Sequence, residues 1–157
     1  RREAKSERGR VPVKLYLAHP ILIRDKIRAW ELGFEKRTGI ELLNPFYDGA
    51  ERNDIKKIDS GKQSLYGPEL DADKIVRGDV GKIVEADGIL AYASKTVPSI
   101  GTYMEIWITM SLGKRVFIVS PDWSTHPWLV YCAQHTGGRI FTTYEEFEEF
   151  VALGGGR

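Results

Sequence analysis

The chain has 157 residues, of which 42% are hydrophobic, and its 23 basic and 22 acidic side chains give a net charge of +1. This length and composition suit one α/β domain with a single core. The balanced charge provides no long-range attraction for a nucleic acid polymer or an anionic membrane, and no apolar run approaches the roughly 20 residues of a membrane span.

The first ten residues, RREAKSERGR, are charged and contain no apolar stretch of the kind found in a signal peptide. We expect 1–10 to be a disordered or tag-like tail, with an arginine-rich arm for a polyanion as the weaker alternative. The domain is expected over 11–153, followed by a tail at 154–157. A single cysteine, Cys132, excludes an internal disulfide, and the three histidines lack the spacing of zinc ligands. We expect a cytoplasmic protein without a metal or other cofactor.

Short apolar runs alternate with helical patterns along the chain. Strands are predicted at 13–18, 40–45, 87–92, 114–120 and 139–143, and helices at 21–38, from about 69, and at 105–112, 127–134 and 144–153. Gly39 and Gly113 each follow a helical pattern and are typical stop signals. The polar stretch from Phe46 to Pro68 has no clean period, and a loop of this length is usually functional or mobile.

The alternation of strands and helices predicts right-handed βαβ units and a parallel sheet covered on both faces. Five strands in this order favour a single-domain flavodoxin-like (Rossmann-like) three-layer sandwich with strand order 2-1-3-4-5. Ligands of such sheets bind beyond the carboxyl ends of the strands, where the strand order reverses. The expected binding loops are therefore 19–24 and 93–101.

Neither of the common phosphate-binding fingerprints follows the first strand, where the sequence reads AHPILIR. The absence of G-x-G-x-x-G and of a P-loop motif argues against a dehydrogenase and an ATPase. No serine lies in a G-x-S-x-G elbow.

The segment VPSIGTYMEIW contains one acid, Glu105, for which there are two hypotheses. Thr102 and Glu105 fit a capping box, in which Glu105 returns a hydrogen bond to the start of the helix. Alternatively, Glu105 lies in the first turns of a helix at the ligand edge, where the helix dipole keeps it ionised. Beside Gly101 and an anion pocket made by Ser99 and backbone N–H groups, such a carboxylate could attack a sugar, as in retaining glycosidases.

That chemistry also requires a second group to assist the leaving group, and Asp79 and Asp87 are the candidates. Asp87 lies at the amino end of the predicted third strand, which favours a turn or cap role. Asp79 lies within the preceding helix. It is either a solvated helix acid or, near the start of that helix, a group at the ligand edge.

Three segments of the chain stand out as a set: L-Y-L-A at 15–18, D-x-x-x-I-x-x-A-D-x-x-x-A at 79–91 and P-S-I-G-T-Y-M-E at 98–105. In their order and spacing they resemble the nucleoside 2-deoxyribosyltransferase superfamily, closest to its 2'-deoxynucleoside 5'-phosphate N-hydrolase and cytidylate N-hydrolase branch. The resemblance covers the first strand and roughly 79–121, and the rest of the chain matches in the order of its elements.

The resemblance implies a role for several residues. Glu105 matches the nucleophile that attacks C1' of the sugar, Asp79 matches the aspartate that works with the leaving base, and Tyr16 matches an aromatic that orients the nucleophile. His19 and Pro20 fall in the loop that lines the substrate pocket. The resemblance also implies a homodimer or higher homo-oligomer in which a residue of the neighbour completes a shared active site.

Ser99 distinguishes two branches of this family. Transferases that act on free nucleosides carry an aspartate six residues before the nucleophile, whereas Ser99 resembles the serine that contacts the 5'-phosphate in the nucleotide hydrolases. A hydroxyl can donate to a phosphate that a carboxylate would repel. The alternative is that Ser99 is a helix cap.

Other substrate contacts are predicted with a structural alternative for each. For Arg24 the alternatives are a contact with the phosphate and a position on the helix surface. For Tyr47, with Phe46 and Tyr66, the alternatives are stacking on the base and pinning the long loop to the core. The residue that crosses from the neighbouring subunit is expected at His126 or Ser124. Trp123 and Trp128 are candidates for interface or core positions.

We therefore expect a hydrolase that cleaves the N-glycosidic bond of a (deoxy)nucleoside 5'-monophosphate through a covalent glycosyl-Glu105 intermediate, releasing the free base and the sugar 5-phosphate. One alternative is a nucleoside 2-deoxyribosyltransferase that exchanges bases on free deoxynucleosides. Another is a nucleotide-binding protein without catalysis. The base, and ribose against 2-deoxyribose, stay open.

Overall fold

The computed structural model describes residues 14–48 and 71–155. Its strands are β1 (Lys14–Ala18), β2 (Glu41–Leu43), β3 (Gly88–Tyr92), β4 (Arg115–Val119) and β5 (Arg139–Phe141). All neighbouring strands pair in parallel, in the order β2-β1-β3-β4-β5. The predicted α/β fold and strand order are confirmed.

The helices of the described ranges are α1 (Arg24–Thr38), α2 (Ala72–Glu85), α3 (Ile100–Ser111), α4 (Pro127–His135) and α5 (Tyr144–Ala152), and a short 3-10 turn at Ile21–Ile23 precedes α1. None of them is long and apolar enough to span a bilayer. Most of the predicted 46–68 loop, with Tyr66, and the predicted 1–10 tail lie outside the described residues. The described chain continues through Gly155, whose N–H donates to the Phe150 carbonyl at the end of α5.

Each face of the sheet carries its own apolar layer, because successive strand residues point to opposite sides. Tyr16, Ile89 and Val116 belong to the layer that packs against α2, α3 and α4. Leu17 and Phe117 belong to the layer against α1 and α5. Strands buried on both faces have continuous apolar sequences, which explains why the strand segments were recognisable as short apolar runs.

The pairing of β1 with β3 brings the two predicted binding loops to one edge of the sheet. Tyr16 pairs with Ile89 and Ala18 with Ala91, so both strands end at the same level. At the opposite edge, the Lys14 N–H donates to Asp87 Oδ2 over 3.0 Å. Asp87 therefore caps the amino ends of the strands, far from the edge where ligands bind.

Helix α3 begins at Ile100 and not at Glu105 as predicted. Ser99 is its N-cap, and Ser99 Oγ accepts the Thr102 N–H over 3.3 Å. The capping-box hypothesis was therefore wrong, because Thr102 lies inside the helix and its N–H is already bonded. Gly101 made the first turn look like a loop in the sequence, because glycine disfavours helices. In the structure, burial of Thr102 and Ile106 against the core stabilises the first turns of the helix.

Candidate active site

The acid of the VPSIGTYMEIW segment is held by a tyrosine of the central strand. The Tyr16 hydroxyl donates to Glu105 Oε1 over 3.1 Å. Tyr16 is fully buried in β1, whereas Glu105 is partly exposed on the second turn of α3. The dipole effect of a helix fades beyond its first turn, so the hydrogen bond from Tyr16 stabilises the ionised Glu105 carboxylate more than the helix dipole does. It fixes Glu105 at the carboxyl edge between β1 and β3.

The start of α3 provides an uncharged polar surface beside that carboxylate. Ser99 Oγ accepts the Thr102 hydroxyl over 3.0 Å in addition to the Thr102 N–H. Both bonds use the serine oxygen as acceptor, so its hydroxyl hydrogen can be donated elsewhere. Gly101 is exposed, and a Cβ placed there would lie 3.9 Å from Glu105 Oε1. The missing side chain thus leaves space next to the carboxylate.

The loop after β1 forms a buried wall at the same edge. His19 is 3% exposed and Pro20 is also buried. The Phe46 ring meets the His19 ring edge-on at 5.0 Å between centroids. Burial lowers the pKa of His19 to about 4, so its imidazole is neutral at neutral pH. Arg24 donates to the Ile21 carbonyl over 2.9 Å, which connects its guanidinium to this loop.

Asp79 lies midway along α2 and is partly exposed. Helix α2 contacts α3, which carries Glu105. Of the two alternatives for Asp79, a position near the start of its helix is excluded, because α2 already begins at Ala72 with Asp71 as its cap. Its role with the leaving base stays a prediction.

Tyr47 follows β2 and is fixed to α1. Its hydroxyl donates to Asp25 Oδ1 over 2.6 Å, and the Arg28 guanidinium lies 4.7 Å from the centre of its ring. Burial, together with the nearby Asp25 carboxylate, raises the pKa of Tyr47 to about 12. Tyr47 is 40% exposed, so part of its surface can still contact a substrate.

His126, the N-cap of α4, packs against Trp123 with 5.0 Å between ring centroids. Its Nδ1 atom is buried and makes no hydrogen bond to another residue of the described ranges. Both rings line a cavity of about 370 Å³ between α3 and α4, where Trp107 and Trp128 are partly exposed. Within one chain, His126 therefore belongs to an apolar cavity.

Sequence reasoning missed Asp122, which joins the loops after β3 and β4. Asp122 Oδ2 accepts the Ser94 hydroxyl over 2.8 Å, and Oδ1 accepts the Lys95 N–H over 3.2 Å. An acid two residues after the predicted fourth strand, at the ligand edge, was the available signal.

A sequence model of the family described as nucleoside 2-deoxyribosyltransferase matches residues 15–153. The chain belongs to this family. Membership confirms the resemblance drawn from the three motifs. It also confirms the expectation of an enzyme of this family. A search of curated proteins gave no match.

Solved structures of this fold include 2-deoxyribosyltransferases and an N-glycosidase. A 2-deoxyribosyltransferase from Bacillus psychrosaccharolyticus is 18% identical, with 89% of this chain and 95% of that chain covered and a TM-score of 0.57. A CMP N-glycosidase from Clostridium botulinum is 20% identical, with 89% and 98% covered and a TM-score of 0.55. A 2-deoxyribosyltransferase from Leishmania mexicana is 19% identical, with 90% and 98% covered and a TM-score of 0.59. At these identities the similarity establishes the shared fold.

Proposed function

We propose that this family member hydrolyses the N-glycosidic bond of a (deoxy)nucleoside 5'-monophosphate, with Glu105 as the nucleophile. The observation that carries the proposal is the combination of a carboxylate fixed by Tyr16 with a serine-capped helix start beside it. The first provides a nucleophile and the second an uncharged cradle for a phosphate.

The reaction proceeds in two displacements at C1'. A carboxylate oxygen of Glu105 bonds to C1' as the C1'–N bond breaks, and the base leaves with the electron pair and takes a proton from Asp79. Water then attacks C1' and transfers a proton to Asp79, while the bond between C1' and Glu105 breaks. The products are the free base and the sugar 5-phosphate, and Glu105 is regenerated.

Ser99 supports a monophosphate substrate. Its side chain can cap α3 and still donate its hydroxyl hydrogen. The first N–H groups of a helix have no partner within the helix and can donate to a ligand at its start. A phosphate at a helix N-terminus is stabilised by these donors and by the helix dipole. The phosphate role and the cap role of Ser99 are therefore compatible.

A homodimer is proposed for the same enzyme, with a site shared between its subunits. The outer surface of α3 and α4 exposes several large apolar side chains: Ile100, Met104, Trp107, Trp128 and Tyr131. Monomeric proteins rarely expose a contiguous surface of this kind. A second copy of the chain is the proposed occupant, because this surface adjoins His126, a candidate for the residue that crosses into the neighbour's site.

The name of the family and the two transferase structures of the same fold favour base exchange as the second candidate function. Exchange uses the same glycosyl-Glu105 intermediate, with a second base in place of water as the acceptor. The substrate would then be a free deoxynucleoside. Glu105 keeps its role in both candidates.

Chromatographic analysis of reaction products separates these functions. The enzyme is incubated with nucleosides and their 5'-monophosphates in ribose and deoxyribose form, with and without a second free base. We expect base release from a monophosphate without base exchange, and loss of turnover in Glu105→Ala. Base exchange on free nucleosides without hydrolysis would support the transferase, and undiminished turnover in Glu105→Ala would remove Glu105 as the nucleophile.

Ser99→Asp tests the phosphate contact with the helix cap retained, because aspartate caps helices as well as serine does. The new carboxylate should raise the KM of a monophosphate by about tenfold or more through charge repulsion, and should leave the KM of the matching nucleoside nearly unchanged. An equal effect on both substrates would contradict a phosphate at Ser99.

A further inference from the structure

Helix α1 contains an acid that is fully buried. The Glu31 side chain is 0% exposed, and its Oε1 accepts a hydrogen bond from Arg28 over 2.9 Å. Burial raises the pKa of this carboxyl. A buried acid is costly unless its oxygens are bonded, and an apolar residue would often serve stability as well. A buried glutamate at position 31 therefore indicates a specific role for its hydrogen bonds.

The other oxygen of Glu31 accepts a hydrogen bond from Asn44. The Asn44 Nδ2 atom lies 2.9 Å from Glu31 Oε2, and Asn44 is 0% exposed. Asn44 comes directly after Leu43, the last residue of β2, and so lies at the carboxyl edge of the sheet. The pair connects the interior of α1 to this edge.

Asn44 organises the whole turn at 44–48. Its side-chain oxygen accepts the Phe46 N–H over 3.1 Å, and its carbonyl accepts the N–H groups of Tyr47 and Asp48 over 3.1 and 2.8 Å. Its own N–H donates to Asp48 Oδ2 over 2.7 Å. The backbone and the side chain of Asn44 thus hold the turn in one conformation. Glu31 fixes this conformation to α1 through its hydrogen bond with the Asn44 amide.

The turn carries two aromatic rings at the edge where a nucleotide would bind. Phe46 contacts the His19 ring of the loop after β1, and Tyr47 is bonded to Asp25. In the sheet order β2-β1-β3, the Glu105–Tyr16 pair and the start of α3 lie on the β1 and β3 side. With sugar and phosphate at those groups, the β2 side with this turn is left for the base.

We propose that Glu31 and Asn44 are positioning residues for base recognition, because they fix the turn whose Phe46 and Tyr47 flank the base. This inference rests on the proposed function, since it needs a nucleotide at Glu105. A fully bonded polar network specifies one geometry more sharply than apolar packing does, which is what discrimination between bases requires.

Binding to the full-length Glu105→Ala protein tests the inference without turnover. Isothermal titration calorimetry compares the four common deoxynucleoside 5'-monophosphates and deoxyribose 5-phosphate, which has no base. Asn44→Ala and Glu31→Leu should weaken binding of the preferred nucleotide by about tenfold and reduce the differences among bases. The affinity for deoxyribose 5-phosphate should stay unchanged.

Two further variants distinguish positioning from general damage. Glu31→Gln keeps an acceptor for the Asn44 amide and should retain the base preference. Glu35→Leu is the matched control, because Glu35 lies on the same helix and accepts the Leu42 N–H over 3.1 Å within β2, away from the turn. It should lower thermal stability and leave base preference intact.

Retained base preference in Asn44→Ala and Glu31→Leu would overturn the inference, as would an equal loss of affinity for deoxyribose 5-phosphate. Failure of the proposed function has a different signature. Nucleotides would still bind with a base preference that depends on Asn44, but the unmodified protein would release no base. If Glu105→Ala binds none of these nucleotides, the positioning inference falls, and base release by the unmodified protein alone decides the proposed function.

Discussion

The contact between Tyr16 and Glu105 joins two residues 89 positions apart in the chain. Tyr16→Phe removes this hydrogen bond and preserves the ring in the core. We expect kcat to fall by about 10- to 100-fold, because hydrogen bonds to charged groups contribute roughly 1.5–3 kcal/mol, while KM changes little. Steady-state kinetics and thermal unfolding measure the effects on rate and fold. Tyr103→Phe is the control, since the buried Tyr103 hydroxyl makes no hydrogen bond to another described residue. An unchanged kcat in Tyr16→Phe would exclude the orienting role.

His19 makes the stability of the enzyme depend on pH. Its pKa is about 4 in the folded protein, against 6.5 for an ordinary histidine, because of burial. Above pH 6.5 both states are neutral at this site and stability is unaffected. Below pH 6.5 His19 binds a proton in the unfolded chain and stays neutral in the folded protein. The free energy of unfolding therefore falls as the pH is lowered towards 4. The slope is about 1.4 kcal/mol per pH unit.

Urea unfolding between pH 4.5 and 7.5 measures this dependence. His19→Asn removes the titrating group, so its free energy of unfolding should change less steeply with pH than that of the unmodified protein. Parallel curves for the two proteins would show that other groups cause the acid sensitivity.

Asp122 connects two loops at the ligand edge, the loop that follows β3 and the loop that follows β4. Asp122 bonds Ser94 and Lys95 in the loop that leads to Ser99, so we expect it to position the proposed phosphate contact at a distance. Asp122→Ala should raise the KM of a monophosphate by about tenfold with a smaller change in kcat. Asp122→Asn keeps one acceptor oxygen and should have a milder effect.

In a double-mutant cycle, Ser94→Ala should add little to Asp122→Ala, because both remove the same bond. Additive losses would indicate that the two residues act separately.

The start of α3 illustrates which element boundaries the sequence could define. Glu105 to Leu112 has clear helical character, and Gly113 correctly predicts the end of the helix. Gly101 and Ser99 favour loops as strongly as helix starts, so local propensity does not decide between the two. Packing of Thr102 and Ile106 against the core settles the question in favour of the helix.

The exposed apolar surface of α3 and α4 makes the proposed dimer testable on the intact enzyme. Trp128 is 65% exposed on this surface, and Trp128→Arg should dissociate the dimer because a charge in an apolar interface is costly. Analytical ultracentrifugation should then give a monomer, and activity should fall if the site is shared. Leu153→Arg is the control, since Leu153 is 87% exposed at the end of α5, away from this surface. A monomeric unmodified enzyme, or a Trp128→Arg dimer, would contradict this interface.

The strand order and the family followed from the sequence, because periodicity and short motifs are local properties. The apolar runs defined the five strands, and the motif ending at Glu105 indicated both the family and the candidate nucleophile. The resemblance already paired Tyr16 with Glu105, and the structure gives that pair its hydrogen bond. Only the tertiary structure revealed the contacts of Asp122 with Ser94 and of Asn44 with Glu31. These contacts depend on strand register and on how helices lie across the sheet. No local pattern encodes those relations between segments that are distant in the chain.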